Sequence, residues 1–222
     1  MNPPAQVVEV LIATGNPGKA REIAAVLSEK GPKSRGLRSL HWRTLNDLTS
    51  AIPEPNEDQT TFIGNASLKA RHYSLASGLW TLADDSGLEV DALAGAPGVL
   101  SARFAELPDS ATRQSRDLAN NTKLIALLAG VPPDRRTARF RCALALADGQ
   151  RILATAEGTI EGRIMDVPRG RGGFGYDPHF LVPHLGKTTA ELSPSEKNRI
   201  SHRGQALRLM RARLVAILAT HA

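Results

Sequence analysis

The 222-residue chain holds a single cysteine, Cys142, and only 4% of its residues are aromatic. One cysteine excludes an intramolecular disulfide and a C-x-x-C metal site, and reads as a buried strand residue in a reducing compartment. The scarce aromatics are nowhere interleaved with basic residues, so a stacking platform for single-stranded nucleic acid is not expected. No apolar run reaches the roughly 18 to 20 residues that span a bilayer. The opening Met1, Asn2, Pro3 and Pro4 have neither the basic nor the apolar segment of a secretory signal, and a cytoplasmic location is expected. H-E-x-x-H and G-x-S-x-G are absent, and the six histidines are scattered. Zinc and serine-hydrolase chemistry are therefore unsupported. There is also no internal repeat and no low-complexity tract.

What is present suits a globular protein: 41% hydrophobic and 23% charged residues, near the averages for folded domains. The length serves one sizeable core, in one α/β domain or two closely packed lobes. A net charge of +6 favours anionic partners, nucleic acid or nucleotides. Arg203, Arg208, Arg211 and Arg213 have helical spacing and read equally as a solvated face, so charge alone does not choose.

Periodicity gives the elements. Val7 to Ala13 reads as a buried strand, followed by the turn Gly15-Asn16-Pro17-Gly18 and a helix from Lys19 to Leu27. Leu37 to Leu45 reads as a second strand, with a basic connection at Gly31 to Arg38 before it. Thr49 to Gln59 is an acidic, proline-containing loop. Thr61 to Leu75 has helical spacing, and Trp80 to Ala83 reads as a short strand. Asp84-Asp85-Ser86-Gly87 is turn chemistry, and Leu88 to Leu93 alternates like a strand or edge. A polar start at Asp109 and Ser110 predicts a helix ending at Gly130. Ala138 to Ala147 and Ile152 to Ile160 read as strands joined through Asp148-Gly149, the strongest hairpin signal in the chain. Arg169 to Pro178 is a glycine-rich loop, and Ser193 to Leu218 a capped terminal helix.

Two phosphate-binding motifs fail on context. Gly170, Gly172 and Gly175 match G-x-G-x-x-G, but strand-like His179 to Val182 follows instead of a helix. Gly186-Lys187-Thr188 resembles the end of a P-loop, but Leu181 stands where its first glycine belongs.

Four other segments can carry chemistry, each with a plainer alternative. Thr14-Gly15-Asn16-Pro17-Gly18-Lys19 lies between a strand and a helix, where amides, helix N-terminus and lysine suit a polyphosphate; it can also be an ordinary turn. Asp84 and Asp85 can seat magnesium, which accepts one or two carboxylates plus phosphate oxygens. Strand neighbours face opposite sides, so both reach one site only if the strand breaks there; the alternative is a solvated turn. Glu57 and Asp58 lie in a nearby loop, where either can complete a metal shell or stay solvated. Gly173-Phe174-Gly175-Tyr176-Asp177-Pro178 presents an aromatic for base stacking with a carboxylate beside it, or plugs a core. In Ser193 to Gly204, Ser193 and Glu196 form a capping box with Pro194 at the first helical position. Lys197 then opposes the helix dipole unless an anion lies near; the alternative is a surface helix with solvated charges.

Taken in order, these motifs resemble the inosine triphosphate pyrophosphatase family, whose members are also called dITP/XTP pyrophosphatases. The likeness is carried by Ala13 to Lys19, Thr61 to Ala70 (TFIGNASLKA), Ala83 to Arg103 (ADDSGLEVDALAGAPGVLSAR), Gly172 to Pro178 (GGFGYDP) and Gly186 to Leu207 (GKTTAELSPSEKNRISHRGQAL). It covers essentially the whole chain from Val7. The resemblance implies an α/β fold, an elongated, curved mixed β-sheet flanked by helices, with two lobes around a nucleotide cleft in one domain spanning residues 1–222. It also implies a homodimer and a magnesium cofactor, with no stable nucleic-acid partner and no membrane.

By the same resemblance Asp85 is the general base and a magnesium ligand, with Asp84 and Glu57 as further acidic positions at the metal. Thr14, Gly15, Asn16, Pro17, Gly18 and Lys19 match the phosphate segment, and Ser86 a substrate contact. Phe174, Gly175, Tyr176, Asp177, Lys197, His202 and Arg203 match positions that hold base and phosphates. Gly64 departs from the family's T-F-x-E-N-A, in which a glutamate stands there. The expected reaction is attack of water on the α-phosphorus of ITP, dITP or XTP, with Phe174 stacking the purine and Asp177, His202 and Arg203 reading its 6-keto edge. The rivals are a pyrophosphatase of pyrimidine triphosphates and a non-catalytic nucleotide- or RNA-binding module, which leaves the paired carboxylates unexplained.

Overall fold

A computed structural model of the chain describes residues 7–28, 40–108 and 110–220. The described elements run β1 (Val8–Ala13), α1 (Pro17–Leu27), β2 (Leu40–Thr44), α2 (Phe62–Ser77), β3 (Trp80–Val90), α3 (Arg113–Leu127), β4 (Thr137–Asp148), β5 (Arg151–Ile164), β6 (Phe180–Val182), β7 (Lys187–Thr188), α4 (Pro194–Ile200) and α5 (His202–Thr220). Seven strands form one sheet in the order β2-β1-β3-β4-β5-β6-β7. β1 pairs parallel to both β2 and β3, whereas β6 pairs antiparallel to β5 and β7, so the α/β sheet is mixed as expected.

The chain divides into two compact units. The first comprises residues 1–85, 143–157 and 203–222, and its described core gathers Val10, Leu11 and Ile12 of β1 with Ile23, Val26, Ala66, Ala70, Leu82, Leu207 and Met210. Continuous apolar runs suit strands covered on both faces, as parallel pairs require. The second comprises residues 86–142 and 158–202, around Leu88, Val90, Leu124, Leu128, Phe140, Ile160, Tyr176, Phe180 and Val182.

Local sequence explains most boundaries. Asn16 caps α1, its side-chain oxygen accepting from the amides of Gly18 and Lys19, with Pro17 entering the first turn. Thr61 caps α2 and Gly78 closes it in the left-handed region at φ 71°. β4 and β5 are joined by Gly149 and Gln150, with Gly149 at φ 57°. Asp177–His179 is a short 3₁₀ turn leading into β6, so no helix follows the glycine triplet, and the dinucleotide motif stays excluded.

Three expectations need correction. Asp84 to Gly87 is not a turn: β3 runs unbroken from Trp80 to Val90. Both carboxylates have cationic partners there, so turn propensity yields to tertiary pairing. The terminal helix is two helices, because Ser201 is extended (φ −66°, ψ 156°) and the chain restarts at His202; serine is among the residues that favour this position before a helix. α3 is capped by Thr112, three residues after the expected start, and Asp109 lies outside the described residues. Gly31 to Arg38 and the first residues of the Leu37 to Leu45 strand also lie outside them.

Candidate functional site

In the first unit, alternation along β3 sends its two carboxylates to different partners. Asp84, 2% exposed, is ion-paired with Lys19 of α1 and accepts from the Arg203 guanidinium at 3.0 Å. Arg203, 1% exposed, also binds Glu22 on α1. Asp85 faces α2: Lys69 Nζ lies 3.2 Å from Oδ1, and Asn65 Nδ2 donates to Oδ2 at 3.2 Å. The same ammonium reaches Glu57 at 3.0 Å, so Lys69 bridges a loop carboxylate and a strand carboxylate.

Asn65 and Lys69 are four residues apart on the buried face of α2, with Phe62, Ala66 and Ala70. Asn65 is itself held, because its Oδ1 accepts the Gln59 amide at 3.0 Å. Gly64 makes room for that loop: a Cβ there would stand 2.9 Å from both Gln59 Cβ and Thr61 Oγ1.

Burial pushes the Asp85 carboxyl upward, against the pull of Lys69 and Lys19. For Lys69, burial works to lower the ammonium, but Asp85, Glu57 and Asp84 outweigh it and leave it raised. Lys69 is therefore a buried cation fixed by carboxylates, and Asp85 a carboxylate whose proton affinity is enhanced.

Among the described residues no group of three or more His, Cys, Asp or Glu is arranged to hold an ion. Of the three acidic side chains expected at a metal, Asp85 and Glu57 share Lys69, whereas Asp84 is given to Lys19 and Arg203. Two hard carboxylate donors fit magnesium, which usually takes one or two from the protein and completes its shell with water and phosphate.

In the second unit, Asp177 organises the glycine-rich loop. It is 2% exposed, and Oδ2 accepts the Phe174 amide at 2.8 Å and the Lys197 ammonium at 2.5 Å. Its Oδ1 accepts the Thr189 hydroxyl at 2.8 Å. Gly173, at φ 74°, has no space for a side chain because the Asp177 carboxylate lies against it. The anion that Lys197 needs near the start of α4 is thus Asp177. Lys197 Nζ also stands 4.8 Å from the Phe174 ring centroid.

Thr14 Oγ1 accepts the Asn16 amide at 3.2 Å, and with Gly15, Pro17 and Gly18 forms the capped β1–α1 turn that ends at Lys19. Ser86 follows Asp85 on β3 and is half-buried. The Tyr176 side chain belongs to the core, its hydroxyl donating to the Ser101 carbonyl at 2.8 Å, and burial pushes the phenol up. Gly175 donates its amide to Asp117 and offers its carbonyl to Asn121, both on α3. His202 is buried and stacks on Phe140 with centroids 5.0 Å apart. The Asp177 carboxylate thus holds the Phe174 amide, Thr189 and Lys197, and the Arg203 guanidinium holds Asp84 and Glu22.

Lys69, Asn65 and Glu22 were not singled out from the sequence. A lysine inside the Phe62, Ala66, Ala70 stripe was the available signal, because lysine is seldom fully buried without a carboxylate partner.

Comparison with known proteins follows the same lines. The family model described as the Ham1 family matches residues 10–213. The dITP/XTP pyrophosphatase of Desulforamulus reducens is 47% identical over 201 residues, covering 90% of this chain and 92% of that protein. The dITP/XTP pyrophosphatase of Geobacillus kaustophilus is 48% identical over 199 residues, 90% of each chain. Among solved structures, a HAM1 protein from Coxiella burnetii superposes with a TM-score of 0.77 at 36% identity, covering 97% of this chain and all of that one.

Proposed function

Because this chain belongs to the Ham1 family, we propose that it is a nucleoside triphosphate pyrophosphatase that converts ITP, dITP and XTP to the monophosphate and pyrophosphate. The observation that carries this reading is Asp85: a buried carboxylate held on one oxygen by Lys69 and on the other by Asn65, beside Glu57. A carboxylate of raised proton affinity, fixed in direction, is what a general base needs to take a proton from an attacking water.

Asp85 and Glu57 are the residues that would hold magnesium, with Asp84 behind them fixing Lys19. When bound, that ion would neutralise phosphate charge and favour ionisation of water. The chain's own groups do the rest. The β1–α1 turn and Lys19 bind the polyphosphate at a helix N-terminus, and Asp85 receives the proton as the bond to pyrophosphate breaks. Phe174 stacks the purine. Lys197, aimed by Asp177, supplies the donor for a 6-keto oxygen, which a 6-amino group cannot accept. Ser86, Gly175, the Tyr176 backbone and His202 complete substrate contacts, and Arg203 keeps Asp84 in place. The homodimer and cytoplasmic location are parts of the same proposal; no helix among the described residues is long and apolar enough to cross a membrane.

A nucleotide panel tests it, with monophosphate and pyrophosphate quantified separately for ITP, XTP, ATP, dUTP and dTTP. Equimolar monophosphate and pyrophosphate from ITP and XTP are expected, and Asp85→Asn should lower kcat by at least about 10²-fold with nucleotide still bound. Orthophosphate with nucleoside diphosphate, or a faster rate on dUTP, would refute the assignment. Light scattering of the eluted protein gives the subunit count.

A further inference from the structure

α3 presents three residues at four-residue intervals, Arg113, Asp117 and Asn121, to one loop. Asp117 Oδ2 accepts the Gly175 amide at 2.9 Å, and Asn121 Nδ2 donates to the Gly175 carbonyl at 2.9 Å, so both polar groups of that glycine are bound by one helix face. Asn121 braces itself through the Asp117 carbonyl, also at 2.9 Å. At the outer end of the stripe the Arg113 guanidinium lies over the Phe174 ring, 5.5 Å from its centroid.

Arg113 opens α3 just after its Thr112 cap, is exposed, and has no carboxylate partner among the described residues. Lys197 is the contrast: its ammonium also approaches the ring but is tied to Asp177 at 2.5 Å and buried. One cation over Phe174 is therefore fixed and the other is free to lift. A planar guanidinium stacks on aromatic faces as an ammonium does not, and nucleobases are commonly sandwiched between aromatic rings and arginine planes.

From this geometry we propose that Arg113 is the second stacking plate of the nucleobase site, the purine entering between its guanidinium and the Phe174 ring. The proposal rests on the reading of Phe174 as the base-stacking residue. Entry requires the guanidinium to rise by about one ring thickness, ~3.5 Å, which a long side chain on an exposed first turn does without moving the backbone. The Asp117 and Asn121 bonds keep the loop still while it does so. Arg113 thereby becomes a determinant of affinity for the base and not for the phosphates.

The experiment is calorimetric titration with two probes, IMP, which carries the base, and pyrophosphate, which does not. Arg113→Ala should weaken IMP about five- to tenfold and leave pyrophosphate unchanged. Arg113→Lys should weaken IMP nearly as much, because charge is kept and the plate is lost. Full rescue by lysine, or equal loss for pyrophosphate, would mean that the residue acts as a charge and would overturn the proposal. Phe174→Ala separates the two readings. If it leaves IMP affinity intact, stacking on Phe174 is wrong and the proposal falls with it; if it weakens IMP while Arg113→Ala does not, only the second plate is refuted. In the double mutant the two losses should be less than multiplicative.

Discussion

Lys69→Met tests the charge arrangement around Asp85 through stability, without substrate. Methionine keeps an unbranched apolar stem and removes only the ammonium, so two carboxylates lose the cation at 3.0 and 3.2 Å. Removing one partner of a buried ion pair costs about 3–5 kcal/mol. The lower end applies here: the Glu57 side chain is 19% exposed and can be hydrated, and Asp85 can take up a proton. About 3 kcal/mol in a chain of this size lowers Tm by about 6–12 °C.

The pH dependence follows from the direction of the Asp85 shift, raised above 3.8 chiefly by burial. A raised carboxyl stabilises the fold fully below its unfolded value and loses that contribution as pH rises through the folded value. Lys69 is the strongest pull holding the folded value down. Without it the folded value rises further, and the loss of stability continues to higher pH. Lys69 itself is raised above 10.5 and stays charged throughout the neutral range, so it adds no slope. The penalty of the mutation should therefore be greater at pH 8 than at pH 5. Thermal unfolding of wild type and mutant by circular dichroism, in chelator, measures it. An equal penalty at both pH values, or a mutant more stable at pH 8, would refute the charge assignment.

Asn65→Ala frees one oxygen of Asp85 and the Gln59 amide; kcat on ITP should fall about 10- to 100-fold with KM nearly unchanged, and an unaltered kcat would remove Asn65 from the positioning of the base. Gly64→Ala should gain about 1 kcal/mol of helix propensity yet lose about 1–3 to overpacking against Gln59 and Thr61. Urea unfolding should show net destabilisation, relieved in a Gln59→Gly background; a stabilised single mutant would mean that the loop yields freely. Arg203→Ala takes one cation from the buried Asp84, which keeps Lys19, and from the partly buried Glu22, and should cost about 3 kcal/mol, the lower end for breaking a buried pair. Wild-type Tm with a changed ITP to ATP ratio would instead assign Arg203 to base reading.

What the sequence revealed and what it hid divide along the range of the interactions. Turns and caps are local, and the Gly15 to Gly18 turn, the Asp148-Gly149 hairpin and the Ser193–Glu196 box were all readable from a few residues. So were the apolar runs of β1, β4 and β5. β3 was misread at Asp84 to Gly87 because its turn composition is overruled by partners far along the chain: Lys19 and Lys69, and above all Arg203, which is 119 positions away. Ser201 hid the break between α4 and α5, since the residues on both sides continue a helical pattern. The site followed the same rule. Asp85, Lys19 and Lys197 stood out as charges beside turns or caps, but Asn65 and Lys69 sit mid-helix and gain meaning only when α2 is laid against β3.

The kinds of cation in the first unit carry one more consequence. Four carboxylates, Glu22, Glu57, Asp84 and Asp85, are paired with three cations, Lys19, Lys69 and Arg203. A site for a polyphosphate must keep its positive charges in place before the anion arrives, and bare lysines with no counter-charge would repel one another in a buried space. The acidic residues remove that repulsion. Under the proposed polyphosphate reading, Lys19 at the α1 turn is the cation whose flexible stem and single-point charge can exchange a carboxylate oxygen for a phosphate oxygen, whereas Lys69 is held by Asp85 and Glu57 together. The cation that joins Asp84 to Glu22 is arginine, whose planar fork holds two acids at once and is poorly suited to such an exchange. Arg203→Lys should consequently preserve net charge yet lose stability, whereas Lys19→Arg should preserve stability yet weaken pyrophosphate binding.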